Sequence, residues 1–158
     1  MLGVLNRHHV DYIVIGGFAA LLHGVPVPET RDLDITPART RPNLQRLAAA
    51  LQELGARLRT PGGPEDGTAI PIDDRMFEHM ITMTFVTVHG PLDLGFRPDG
   101  TAGYDDLSQG ASEVAVGVER ARLASLADII RSKSAAGRAK DIAALPTLIR
   151  FLNDKDAS

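Results

Sequence analysis

Three aspartates carry the most specific chemistry available to this sequence. Asp32, Asp34 and Thr36 alternate with Leu33 and Ile35 in the segment TRDLDI and the residue after it. Alternation of period two marks a half-buried strand, on which both carboxylates point to one face with Cα atoms roughly 6 to 7 Å apart. Asp93 lies between Leu92 and Leu94 in a second strand-like segment. If the two strands are neighbours, three carboxylates converge, and each like-charge pair at about 4 Å costs on the order of 1 to 4 kcal/mol. Bound cations would remove that cost. Hard oxygen ligands of this kind suit Mg²⁺ or Mn²⁺, which keep waters and accept phosphate oxygens as further ligands. Each aspartate also has an ordinary use: Asp32 could cap a turn, Asp34 could face solvent, and Asp93 could sit at an exposed edge.

The elements around these residues are readable from periodicity. Tyr12 to Ile15 is a short β-branched run that stops at Gly16-Gly17, and Phe18 to Leu22 is apolar and helix-compatible. Strand, glycine turn and helix follow, an arrangement in which backbone N–H groups can approach a phosphate closely. Pro26 and Pro28 deny regular helix to the next stretch. Pro42 starts a helix whose Leu44, Leu47, Leu51 and Leu54 recur three and four apart before Gly55. Thr60 to Gly67, rich in proline and glycine, is a surface loop. Ile81 to Val88 and Pro91 to Phe96 form a hairpin turned at His89-Gly90. Glu113 to Val118 fits one more strand, and Leu126 to Ala135 a helix capped by Ser125. The last helical region, Lys140 to Leu152, is predicted to break at Pro146 and restart there as a second helix.

Composition sets the outer limits. A chain of 158 residues fits one domain, spanning residues 1–158, and its 44% apolar content places it among globular proteins. There is no cysteine, which removes disulfides and thiolate metal sites together. Met1 is followed by no basic region, and no apolar run approaches the roughly 20 residues of a bilayer span, so no membrane association and a cytoplasmic location are expected. The net charge of −3 would not draw the molecule onto nucleic acid, and no DNA partner is expected; RNA would have to use the basic patch from Arg131 to Lys140. His23 reads as a structural residue at a helix end and His89 as part of the hairpin turn, while His8, His9 and His79 lack metal-ligand spacing and read as non-catalytic. The expected fold class is α/β (α+β): a mixed β-sheet flanked by helices, with a short helical segment at the C-terminus.

The combination of YIVIGGFAALLHG, TRDLDI and GPLDLGF resembles the nucleotidyltransferase superfamily related to DNA polymerase beta. GYDDLSQGA followed by LASLADIIRSKSAAGRAKD is similar, more narrowly, to the bacterial nucleotidyltransferases related to the abortive-infection type E toxins. The likeness extends from Asp11 to about Leu152, and the C-terminal signature falls on Lys133, Arg138 and Asp141. It implies metal-dependent transfer of NMP from an NTP to an acceptor hydroxyl. Gly16 and Gly17 would hold the triphosphate, and Asp32 and Asp34 would ligate both of two metal ions, Mg²⁺ or Mn²⁺. Asp93 would ligate the ion at the attacking hydroxyl and could serve as general base. Lys133 would neutralise phosphate charge, assisted by Arg138 or Lys140, while Asp141 orients Lys133. Arg31 is the further phosphate contact expected beside the metals.

The resemblance further implies tRNA ends or protein hydroxyls as acceptors, and the toxin of a toxin–antitoxin pair with a cognate antitoxin as partner. Three departures stand against the family pattern. Gly17 replaces a frequent serine, Pro28 stands where relatives often carry arginine, and fourteen residues, Phe18 to Arg31, separate Gly17 from Asp32. They motivate the alternative of a catalytically silent nucleotide-binding or regulatory partner. A third reading, a small-molecule nucleotidyltransferase such as an antibiotic-modifying enzyme, ranks behind both, because such relatives usually add a domain or a dimer partner to build the acceptor pocket.

Overall fold

The computed structural model describes residues 1–158, and the alternating segments pair into one mixed sheet. In chain order the elements are α1 (Leu2–Arg7), β1 (Tyr12–Ile15), α2 (Gly16–Leu22), β2 (Leu33–Pro37), α3 (Arg41–Glu53), β3 (Arg57–Arg59), β4 (Thr82–Thr87), β5 (Gly90–Gly95), α4 (Tyr104–Gly110), β6 (Ser112–Val116), β7 (Glu119–Leu123), α5 (Leu126–Ala136) and α6 (Ala139–Asp156), with a single 3₁₀ turn at Asp74–Phe77. The seven strands stand in the order β3-β4-β5-β2-β1-β7-β6. The β2–β5 and β1–β7 pairs are parallel and the others antiparallel.

Period two divides the sheet's side chains cleanly. Leu33 and Ile35 of β2, Leu92 and Leu94 of β5, and Met83 and Phe85 of β4 point into the core. The α3 stripe of Leu44, Leu47 and Leu51 is buried in the same cluster. Asp34, Asp93 and Thr84 occupy the intervening positions and therefore the opposite face, where they are only half-buried.

Asn43, fully buried on α3, ties β1 and β2 together at the end of the pair away from Gly16 and Asp34. Its Oδ1 accepts from Asp11 N at 2.7 Å, and its Nδ2 donates to Asp11 O at 2.9 Å and Ala38 O at 2.8 Å. One amide thus satisfies backbone groups just before β1 and just after β2.

Several elements differ from the sequence expectation. The helix α6 runs unbroken through Pro146 for 18 residues instead of restarting there. Pro146 is exposed, so its ring disturbs only the solvent side, while Leu148 anchors the helix in the core. The strand expected at Glu113 to Val118 ends at Val116, and Gly117 (φ +62) turns the chain into β7. The charges of Glu119, Arg120 and Arg122 hide the strand character of β7, whose Ala121 and Leu123 are buried. The short α1, held by a Tyr12–Asn6–Glu119 hydrogen-bond chain, and α4 had too few residues for a periodic signal. No helix is long and apolar enough to cross a membrane.

Replacing Asn43 by alanine leaves Asp11 N and Ala38 O without their partner, while Asp11 O keeps its bond from Ala38 N, so Asn43→Ala is expected to lower unfolding stability by about 1 to 3 kcal/mol in urea denaturation. A loss within about 0.5 kcal/mol, the range of an ordinary surface substitution, contradicts the assigned clamp.

Candidate active site

Parallel pairing of β2 with β5 puts Asp34 directly opposite Asp93, in a register that also matches Leu33 with Leu92 and Ile35 with Leu94. Neighbouring strands lie about 4.8 Å apart, so the two carboxylates share one patch of the sheet. Burial, then a hydrogen bond with Asp93, then the charges of Asp93 and Asp32 push the Asp34 carboxyl up to about 7, with Lys140 pulling the other way. A carboxyl held so far above its ordinary value marks a place where negative charge lacks a counter-charge.

The glycine turn closes on this pair from the β1 side. Gly16 has φ +69, and a Cβ there would stand 2.4 Å from Asp34 Oδ2. The backbone conformation strains any residue with a side chain, and a Cβ there would also force the Asp34 carboxylate to shift. The helix α2 starts at Gly16 itself, earlier than the expected Phe18.

Over the same face lies the junction of α5 and α6. Ser125 caps α5, its Oγ accepting from Asp128 N at 3.0 Å, and Gly137 (φ +64) ends it. Asp141, with no exposed surface, then binds two cations at once. Lys133 Nζ donates to its Oδ1 at 3.2 Å, and Arg138 Nε donates to its Oδ2 at 2.6 Å. Burial works to raise the Asp141 pKa, but the hydrogen bonds from Arg138 and Lys133 outweigh it and hold the group below the usual carboxylate range. The Arg138 guanidinium is held in its charged form by the Asp141 hydrogen bond and further by Asp99 and Asp34.

Between sheet and junction is a cavity of about 600 Å³. Gly16, Gly17, Asp32, Asp34, Asp93, Lys133, Arg138, Lys140 and Asp141 all line it. Arg31 does not: it is exposed just before Asp32, outside the cavity wall. Asp32 differs from the strand expectation, since β2 begins only at Leu33 and leaves the Asp32 side chain exposed at the strand's entrance. Sequence reasoning missed Thr82, Thr84, Arg97 and Asp99 in the same wall. The hairpin register, with Thr84 opposite Asp93 and Thr82 opposite Gly95, was the signal that could have found the threonines.

The donor set fits a divalent cation bound together with phosphate. No three acidic or histidine side chains stand close enough to enclose an ion unaided. Mg²⁺ characteristically takes one or two carboxylates and completes its shell with water and substrate phosphate oxygens. Asp34 and Asp93 supply such a pair, and their crowding is what a cation would relieve.

No protein-family model matches this chain, and no curated protein matches it in sequence. Solved structures match its fold. The lincosamide antibiotic adenylyltransferase LnuA, lincomycin-bound, superposes with a TM-score of 0.60 at 16% identity, over 93% of this chain and 90% of that one. ANT(2'')-Ia in complex with adenylyl-2''-tobramycin gives 0.60 at 15% identity, over 98% and 87%. An antigenic nucleotidyltransferase-like protein from Paracoccidioides brasiliensis gives 0.52 at 17% identity, over 95% and 72%. The chain therefore has a nucleotidyltransferase-like fold, a mixed sheet flanked by helices.

With its carboxyl pushed up to about 7 in the fold and near 4 in the unfolded chain, Asp34 makes the metal-free fold progressively less stable as pH rises from about 4 to about 7, and the full loss is present above 7. In EDTA, Asp34→Asn is thus expected to raise Tm more at pH 8 than at pH 5, followed by differential scanning calorimetry. An equal increment at both pH values contradicts the charge crowding.

Proposed function

We propose that this protein is a metal-dependent nucleotidyltransferase that moves NMP from an NTP to an acceptor hydroxyl. The observation that carries the reading is the opposed Asp34–Asp93 pair beside the Gly16 turn, in one cavity with Lys133. The adenylyltransferases that share the fold support the same reaction class.

The roles follow from position. Asp34 and Asp93 would hold the divalent ions, joined from the strand entrance by Asp32. Mg²⁺ or Mn²⁺ bound there would supply Lewis-acid stabilisation of the charge that develops on the transferring phosphoryl group and the leaving pyrophosphate. Gly16 and Gly17 bring bare backbone to the triphosphate, with no side chain in the way. Lys133 offers a point charge to the phosphates, and Asp141 fixes its direction. Arg138 and Lys140 add positive charge from the α5–α6 junction, and Arg31 could reach the triphosphate from outside the cavity wall. Asp93, on the strand farther from the glycine turn, would take the proton of the attacking hydroxyl.

A catalytically silent partner needs no crowded acidic pair, and the burial and neighbouring carboxylates that make ionisation of Asp34 unfavourable do not favour that alternative. The acceptor is the finer question. The sequence resemblance points to tRNA ends or protein hydroxyls and to a toxin with a cognate antitoxin. The structural neighbours carry lincomycin and adenylyl-tobramycin.

Incubation with each α-labelled NTP, Mg²⁺ or Mn²⁺ and a pool of hydroxyl acceptors is expected to give labelled product and pyrophosphate. The double variant Asp32→Ala with Asp34→Ala, and Asp93→Ala separately, should each lower transfer by roughly a hundredfold or more. Transfer that survives these substitutions overturns the assigned site.

A further inference from the structure

We infer that Thr84 and Thr82 of β4 form the wall that receives the acceptor, and that the acceptor is a small polyhydroxylated molecule, a sugar or similar polyol, rather than an RNA end. The inference rests on the nucleotidyl-transfer reading and adds to it the direction and chemistry of the second substrate.

Strand order fixes the direction. Across the sheet, the glycine turn at the end of β1 is followed by Asp34 on β2, Asp93 on β5 and Thr84 on β4, the last pair again in direct register. In an in-line displacement the acceptor oxygen forms its bond to the α-phosphorus while the bond from that phosphorus to the bridging oxygen breaks. The pyrophosphate leaves with the bonding electrons, and the hydroxyl proton passes to the Asp93 carboxylate. Attacking and leaving oxygens lie on opposite sides of the phosphorus. With the triphosphate on the glycine turn, the acceptor must come from the β4 side.

That side has the groups a polyol needs. Thr87, on the core face of β4, spends its hydroxyl on Gly90 O at 2.8 Å. Thr82 and Thr84, on the site face, have no such partner within the protein, and both line the cavity. Each hydroxyl can donate one hydrogen bond and accept two. Ile81 beside them is 60% exposed at the same wall, an apolar surface of the kind that packs on the C–H face of a sugar ring.

The same wall lacks what an RNA end needs. None of the side chains lining the cavity is aromatic, so no platform exists on which a splayed base could stack. Arg97 is the one cation of the segment 97–101 and stands near Asp99, while Arg59 shares the face but lies outside the cavity. On the β4–β5 side, two arginines against Asp93 and Asp99 make no track for a phosphate backbone, and the remaining cavity cations, Lys133, Arg138 and Lys140, sit across from it at the α5–α6 junction, where the proposed reading gives them to the triphosphate.

The test supplies α-labelled NTP and Mn²⁺ with glycerol, glucose, lincomycin or tobramycin, and in parallel with a single-stranded RNA twelve-mer bearing a free 3′-hydroxyl. Product is resolved into acceptor-bound and free NMP, the latter from attack by water. Label is expected on at least one of the small polyols. Thr84→Val should then lower the ratio of polyol transfer to hydrolysis about tenfold, and Thr84→Ser should restore it. Label on the RNA in preference to every small polyol overturns the inference, and so does hydrolysis with no polyol product. An unchanged ratio in Thr84→Val overturns the assigned wall. Absence of both NMP and pyrophosphate under all conditions, with no Mn²⁺-dependent NTP binding, instead removes the nucleotidyl-transfer reading beneath it.

Discussion

Two carboxyl groups forced into register on adjacent parallel strands set the terms for the rest of this structure. Asp34 and Asp93 cannot move apart, because Leu33–Leu92 and Ile35–Leu94 lock the same register through buried side chains on the other face. A shift of one residue would turn the core leucines outward, so hydrophobic burial holds the like charges together. The protonation of Asp34 near neutral pH is the cost of that arrangement without a cation, and it is a cost that a divalent ion with phosphate would turn into binding.

The positive half of the site is built on the opposite principle. Asp141 is buried but fully compensated, with Lys133 and Arg138 on its two oxygens. Both cations are thereby aimed at the cavity without being free to collapse onto Asp34 or Asp93. Charge of each sign is thus prearranged on its own element, the acids on strands and the cations at a helix junction, with space for a substrate between them.

Much of this arrangement was legible in the sequence. Strict alternation around Asp34 and Asp93 identified their strands, and the leucine spacing of α3 and the serine cap of α5 were read from local rules alone. Pairing of β2 with β5 is a long-range event that alternation permits without dictating, so the convergence of the acids became visible only with the sheet order. Asp32 lines the cavity from one residue before the strand that was expected to carry it, and Arg31, its neighbour in sequence, stands outside the cavity wall. Pro146 misled through a rule about helix interiors that solvent exposure relaxes. Thr82 and Thr84 carry no motif at all; only their register against β5 gives them meaning.

The central claim is that the acidic pair and the glycine turn together bind a metal–nucleotide complex. Anomalous diffraction from crystals soaked with Mn²⁺ and a non-hydrolysable NTP tests it most directly. The account predicts manganese peaks contacting Asp34 and Asp93, with triphosphate density against Gly16 and Gly17. Manganese absent from both aspartates, or nucleotide bound with its phosphates away from the turn, would contradict it.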